Sequence, residues 1–295
     1  MAVSTKSLFL LLTLAACAVS QEPAPSKPQP QAPTQQATGG QEAALKAVEE
    51  MLAKFRDQGI VVDTKARTVS IPAVMNDPPD PVEYLLIHQR GKKHEAVFVT
   101  KVRPSVLNGA LLLLGLKQGT NVAFKEKVPP PSMEEIEKGA DPFEVTPPQG
   151  DALWMTVSWR TEDGKVREHA IEELVADLSG QHPVRGASWV YLGGRMAAIY
   201  RNEPPVYVAD FEGNLVSIPY MSPDNHLASM VHERCRDDQN WYLTEACPPA
   251  GTEVNFTFHR DKPKLVADRE ERLRKAAEAE AAGARTPPNP GGPGR

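Results

Sequence analysis

The feature that most constrains this chain is a period of two that recurs over short distances. In "TVSIPAV" Val69, Ile71 and Ala73 alternate with other residues, as do Met155, Val157 and Trp159 in "LWMTVSW" and Val254, Phe256 and Phe258 in "TEVNFTFH". Strict alternation places one apolar face on a half-buried strand. Turn residues stand beside these runs. Gly59 precedes Ile60 and Val62, and Arg90-Gly91-Lys92 lies between runs near Val82–His88 and His94–Val102. Glu162-Asp163-Gly164-Lys165 follows Trp159, and Gly193-Gly194 and Glu212-Gly213-Asn214 interrupt two later runs. This spacing predicts antiparallel hairpins, each strand paired with its sequence neighbour.

Helical spacing is confined to a few segments. "QEAALKAVEEMLAKFRDQG" puts Leu45, Val48, Leu52 and Phe55 on one face, with Gly59 as the stop. After Pro104-Ser105, Leu107, Leu111 and Leu114 share one face and Val106, Ala110 and Leu113 another, which predicts a helix apolar nearly all round and therefore buried. "IEELVADLSG" reads as a short helix, and "KLVADREERLRKAAEAEAAGAR" as a solvated one ahead of a disordered "TPPNPGGPGR". The prolines crowded near 128–150 predict a surface insertion. The expected fold is α+β: a mainly antiparallel sheet built from hairpins, with a buried central helix and one or two packing helices.

The N-terminus reads as an address. Lys6, the leucine-rich Leu8 to Leu14 and the small residues after them have the layout of an export signal, too short to cross a bilayer, which takes roughly 20 apolar residues. Leu14-Ala15-Ala16-Cys17 resembles a bacterial lipobox, which would make Cys17 an acylated mature N-terminus. Ala16-Cys17-Ala18 also fits ordinary signal cleavage, which would leave a soluble secreted or periplasmic protein. Residues 18–40 are rich in proline and glutamine, cannot build a core, and read as an extended tether.

Charge and cysteine count narrow the classes. A formal net charge of -5 without a dense Lys/Arg stripe argues against nucleic acid as the partner. Of three cysteines, Cys17 is taken if lipidated, leaving Cys235 and Cys247. In an oxidising compartment these two predict a structural disulfide, a staple worth roughly 2–3 kcal/mol. Neither a Cys-x-x-Cys nor the roughly four cysteines of an iron–sulfur cluster is present.

Signatures of nucleotide-binding loops, serine hydrolases, zinc proteases and calcium loops are absent. His88 and the pair His94-Glu95 face one another across a short connection, where imidazole and carboxylate suit zinc, although adjacent strand residues point to opposite faces and a third ligand is not evident. The plainer reading is a polar hairpin end with one residue bonded to backbone; beyond it stand a structural role, in which Glu95 accepts from the amides opening the helix at Pro104-Ser105, and a functional one, in which His94 faces a partner or ligand. His226 and His232 fall on different sides of an ideal helix; Cys235 beside His232 reads as a nucleophile with its base or as half of the disulfide. Gly193-Gly194-Arg195 reads as an anion cradle or as a turn.

"VEYLLIHQRGKKHEAVFVTKVRPSVLNGALLLLGL" and "CPPAGTEVNFTFHR" resemble the YdjY-like domain family of exported bacterial proteins. The resemblance runs from about Gly59 to His259 and is most specific at Lys93-His94-Glu95, at the Pro104-Ser105 helix and at the Pro-Pro-x-Gly-Thr of 248–252. It implies a compartment and brings no activity with it. Some relatives carry a ferredoxin-type label, which the cysteines here do not support. The organisation expected is a signal peptide with lipobox over 1–17, the linker 18–40, a single domain over 41–262 and a charged, largely disordered tail over 263–295. The expected function is that of a non-enzymatic binding or scaffold module without a cofactor, lipid-anchored and facing the periplasm. Its partner would be an envelope protein or polymer and its functional surface Lys93, His94 and Glu95. Ala18 in place of an aspartate favours the outer membrane. The alternatives are a metal-dependent envelope hydrolase using His88 and His94, and a soluble secreted domain.

Overall fold

The computed structural model describes residues 35–79, 81–178, 184–223 and 225–284, and their side chains over 46–279. Cys17, the signal and residues 18–34 of the expected linker lie outside the described residues. The chain divides into two units, 1–46 and 47–295. Of the first, only the start of helix α1 (Gln35–Asp57) is described.

The second unit is built on a closed barrel of eight strands. In chain order these are β1 (Thr68–Met75), β2 (Tyr84–His88), β3 (Ala96–Thr100), β4 (Asp151–Arg160), β5 (Ser188–Tyr191), β6 (Asn214–Ser217), β7 (Ala228–Val231) and β8 (Glu253–His259). Around the barrel the order is β1-β8-β4-β5-β7-β6-β2-β3, and β3 closes back on β1. The three alternating runs become lateral neighbours. Ile71 is level with Phe256 and Phe256 with Val157; Val69 is level with Phe258 and Phe258 with Met155. Their side chains are buried, and Phe98 meets Phe256 edge-on at 5.9 Å between ring centroids. An eight-stranded barrel has an interior that side chains can fill.

The fold is α+β as expected, but it is not a hairpin sheet around a buried helix. β2 and β3 were expected to form a hairpin, and they run parallel, Tyr84 level with Ala96 and His88 with Thr100. Residues 89–95 carry the chain back along the strand. They can do so because a five-residue strand is only about 16 Å long, while seven residues reach up to about 23 Å. β6 and β7 are parallel too, and β6 also pairs with β2, far from it in sequence. Local pairing survives where a tight turn dictates it. The strand Val61–Asp63 lies on β1, and Val166–Ala170 lies on β4 behind the turn at Gly164.

The helices also differ from expectation. α1 ends in paired bonds, Ile60 N to Phe55 O and Gly59 N to Arg56 O, with Gly59 at φ 72°, the arrangement that satisfies the last carbonyls of a helix. Its buried face is Met51 and Phe55, whereas Val48 and Leu52 are exposed and the Leu45 side chain lies outside those described. Helix α2 (Pro104–Leu112) buries Leu107, Ala110 and Leu111 but leaves Leu112 and Leu113 nearly half exposed. The core is the barrel, so α2 needs only one buried side. "IEELVADLSG" forms a 3-10 turn at Ile171–Glu173 and then a short strand, Val175–Asp177, paired with Trp241–Leu243. The prolyl segment forms an exposed two-stranded ribbon, Ala123–Glu126 with Phe143–Thr146, around helix α3 (Met133–Glu137), which Ser132 and Glu135 close with a reciprocal capping box. After the short helix α4 (Val208–Glu212) and strands β6 to β8, α5 spans Lys264–Ala284. Its first turns are docked, Val266 and Arg269 being buried and the Arg269 guanidinium donating to the carbonyls of Glu172 (3.2 Å) and Val184 (2.6 Å). Polar anchoring thus supplies what its apolar surface does not.

Candidate functional site

Lys93, His94 and Glu95 form a 3-10 turn that leads into β3. The turn is pinned by Asn76, whose amide donates to the carbonyls of Lys93 (2.5 Å) and Ala96 (2.8 Å). Glu95 is committed locally, with one oxygen 3.0 Å from Lys92 Nζ and the other 3.3 Å from His94 Nε2. It does not reach α2. That helix is opened by Asp210 of α4, which accepts from Ser105 N (2.8 Å), Ser105 Oγ (2.7 Å) and Arg103 Nε (2.7 Å). Asp210 lies 105 residues from Ser105 and left no local signal in the sequence.

Glu83, beside this turn, shares a hydrogen bond with Glu95. Burial, that bond and the charges of Glu95 and Asp238 raise the Glu83 carboxyl above its ordinary range, against the pull of Lys92. For Glu95, burial works against ionisation, but the hydrogen bonds from Lys92 and Glu83 outweigh it and bring the group down. Of the two, Glu95 therefore ionises first and Glu83 keeps a proton more readily. The His94 side chain remains 69% exposed and Lys93 is exposed.

Lys93 also stands on the rim of a groove of about 720 Å³ on the outer face of the barrel. The groove follows from the closure. β3 pairs with β1 only at Val74–Val99 and Met75–Phe98, while the strand Val61–Asp63 occupies the other end of the same β1 edge. Pro72, Val74 and Val99 form an apolar floor, and Gln89, Lys93, Lys101, Glu253 and Asn255 stand around it. β1 alternates inward and outward, so Val74, facing away from the core, is 40% exposed in the groove.

The remaining sequence candidates are dispersed. The parallel return separates His88 from His94 by the length of a strand, because His88 is level with Thr100 and His94 precedes Ala96, at the opposite end. His88 is buried, its Nδ1 accepts from Arg90 N at 3.3 Å, and burial followed by the Arg90 charge lowers its proton affinity. Among the described residues no group of three or more His, Cys, Asp or Glu is placed to hold a metal ion.

The expected Cys235–Cys247 bridge is not formed. Cys235 is fully buried, with its thiol pushed up to about 12 by burial, and the Cys247 sulfur faces the Leu174 carbonyl at 3.4 Å. A thiol so held is a poor nucleophile. The His232 ring meets Trp241 edge-on at 5.7 Å and its Nδ1 accepts from Arg234 N. His226 is fully buried. Gly193 and Gly194 have positive φ; Gly193 is packed against Tyr191 and Gly194 against Tyr207, whose hydroxyl donates to Gly193 O at 2.7 Å. Their backbone serves that contact.

One buried carboxylate was missed by sequence reasoning. Glu172 in the 3-10 turn is 5% exposed and accepts from Trp189 Nε1 at 2.9 Å. "IEEL" gives no sign of which of two adjacent glutamates turns inward.

Compared with known proteins, residues 60–259 match the family model of the YdjY domain. The chain belongs to that family. No curated protein and no solved structure matches it.

Proposed function

We propose that this YdjY-domain protein is an exported, lipid-anchored binding module of the bacterial envelope, and that its ligand surface is the groove over the β1–β3 seam. The groove itself carries this reading. Its apolar floor is ringed by amide and ammonium side chains, with Lys93 and Lys101 against the single carboxylate of Glu253. Such a surface suits an anionic segment of an envelope polymer or protein, held by its charges and by contact with Val74 and Val99. Of the residues expected to form the functional surface, Lys93 lines its rim, His94 is its neighbour in the chain, and Glu95 meets His94 Nε2 at 3.3 Å. A tether ending in acylated Cys17 would let the domain reach a large immobile partner. No helix among the described residues is long and apolar enough to cross a membrane.

The test is site-specific photo-crosslinking in intact cells. A crosslinker at Gln89 or Val99 should capture one envelope component, and the double reversal Lys93→Glu, Lys101→Glu should lose the adduct without lowering thermal stability. A crosslinker on the Val166–Ala170 strand should capture nothing. Equal capture from both faces, or capture indifferent to charge reversal, would remove the groove from the mechanism.

A further inference from the structure

We propose that the cleft between α5 and strands β4 and β5 is a binding site for a small zwitterion, a molecule carrying an ammonium and a carboxylate on a partly apolar frame. The cleft has a volume of about 410 Å³, within the range of small-molecule sites, and Trp154 and Trp189 form part of its wall.

Its charged groups sort into those already used and those left over. Lys262 and Glu270 neutralise each other at 2.7 Å, and Arg269 is committed to two backbone carbonyls. Two groups remain. Glu172 is more than nine-tenths buried; one oxygen accepts from Trp189, and Oε2 has no hydrogen-bond partner. Arg185, on the exposed side of the same cleft, makes no hydrogen bond or ion pair among the described residues. A buried acceptor without a donor is the kind of atom that folded proteins rarely leave unmet.

A simple cation entering here would approach Glu172 but also Arg185 and Arg269, and a simple anion would meet Glu172 and Glu270. A ligand with both charges answers both ends: its ammonium donates to Glu172 Oε2 and its carboxylate receives the Arg185 fork. Burial raises the Glu172 carboxyl against its own backbone amide and the field of Arg269, and an arriving ammonium would favour its ionised form. The apolar lining of Leu153, Val266 and Leu273 favours an apolar or aromatic frame.

The experiment is thermal shift and calorimetric titration of the full chain with L-phenylalanine and 6-aminohexanoate, whose charges are differently spaced. Phenethylamine and 3-phenylpropionate serve as one-headed controls. At least one zwitterion at ~10 mM should raise Tm by about 2 °C or more, with the controls silent. Glu172→Gln retains an acceptor for the Trp189 N–H and should fold; both it and Arg185→Gln should weaken binding about tenfold or more. Failure of both zwitterions to bind, unchanged affinity in either variant, or equal binding by a control would overturn the proposal.

Discussion

His226 makes the native state resist a proton that the unfolded chain accepts. Its ring is fully buried, and burial pulls its pKa down to about 4. The hydrogen-bond network identifies the tautomer. Asn225 donates its amide to Glu212, which leaves Asn225 Oδ1 to accept from His226 Nδ1 at 3.0 Å. A second proton would have to sit on Nε2, which is buried and has no partner. An unfolded histidine titrates near pH 6.5, so between about pH 6.5 and 4 the unfolded state binds more protons. Stability therefore falls as the pH falls through that window and levels off below it. A displacement from 6.5 to about 4 corresponds to about 3 kcal/mol in full, of which about 2 kcal/mol is lost between pH 7 and pH 5. For a domain of this size that is a drop in Tm of about 4–8 °C. His259, also lowered to about 4 by burial, acts in the same direction, while the raised carboxyls of Glu83 and Glu172 act in the opposite one. The difference between wild type and His226→Phe cancels these shared terms. In urea titrations at pH 5, 6 and 7, the variant should gain on the wild type by about 2 kcal/mol from pH 7 to 5. A gap that stays constant to within about 0.5 kcal/mol would show that the native ring takes the proton, and would refute the burial argument.

Asp210→Ala, which removes the carboxylate held by Ser105 and Arg103, should cost about 2 kcal/mol in chemical denaturation, well beyond the effect of Glu95→Gln. Gly213→Ala should cost about 3 kcal/mol or more, because φ is 81° and a Cβ would lie 2.6 Å from Gly91 N. The control is Gly164→Ala at φ 80°, which has open space and should cost about 1 kcal/mol; equal costs would deny the close approach. Under native conditions Cys247 should alkylate before Cys235, and both should react after denaturation without reductant. Peptide mapping reads the order, and an unreactive pair after denaturation would reveal a bridge. Cys17→Ser should release the protein from membranes or block its maturation; a mature N-terminal peptide beginning at Val19 would instead establish ordinary secretion.

Which residues face inward was legible from the chain alone. Val69, Ile71, Met155, Val157, Val254, Phe256 and Phe258 occupy the buried positions that alternation assigned them, because side-chain direction along a strand is set by the backbone itself. The turn at Gly164 and the end of α1 at Gly59 were legible for the same reason, since each is decided within a few residues. The neighbours of each strand were not. Backbone amides and carbonyls are the same in every residue, so a period of two specifies a face and leaves the partner strand open. Only the closed barrel decided that β2 and β3 run parallel, which dispersed the His88–His94 pair, and the closure of β3 on β1 left the groove beside Lys93. Closure also decided the fate of α2. With the barrel interior filled by strand residues, the helix could leave Leu112 and Leu113 in solvent. The polar contacts with the longest reach, Asp210 to Ser105 and Arg269 to the Glu172 carbonyl, join residues about a hundred positions apart, where no local pattern can register them and only the folded chain brings them together.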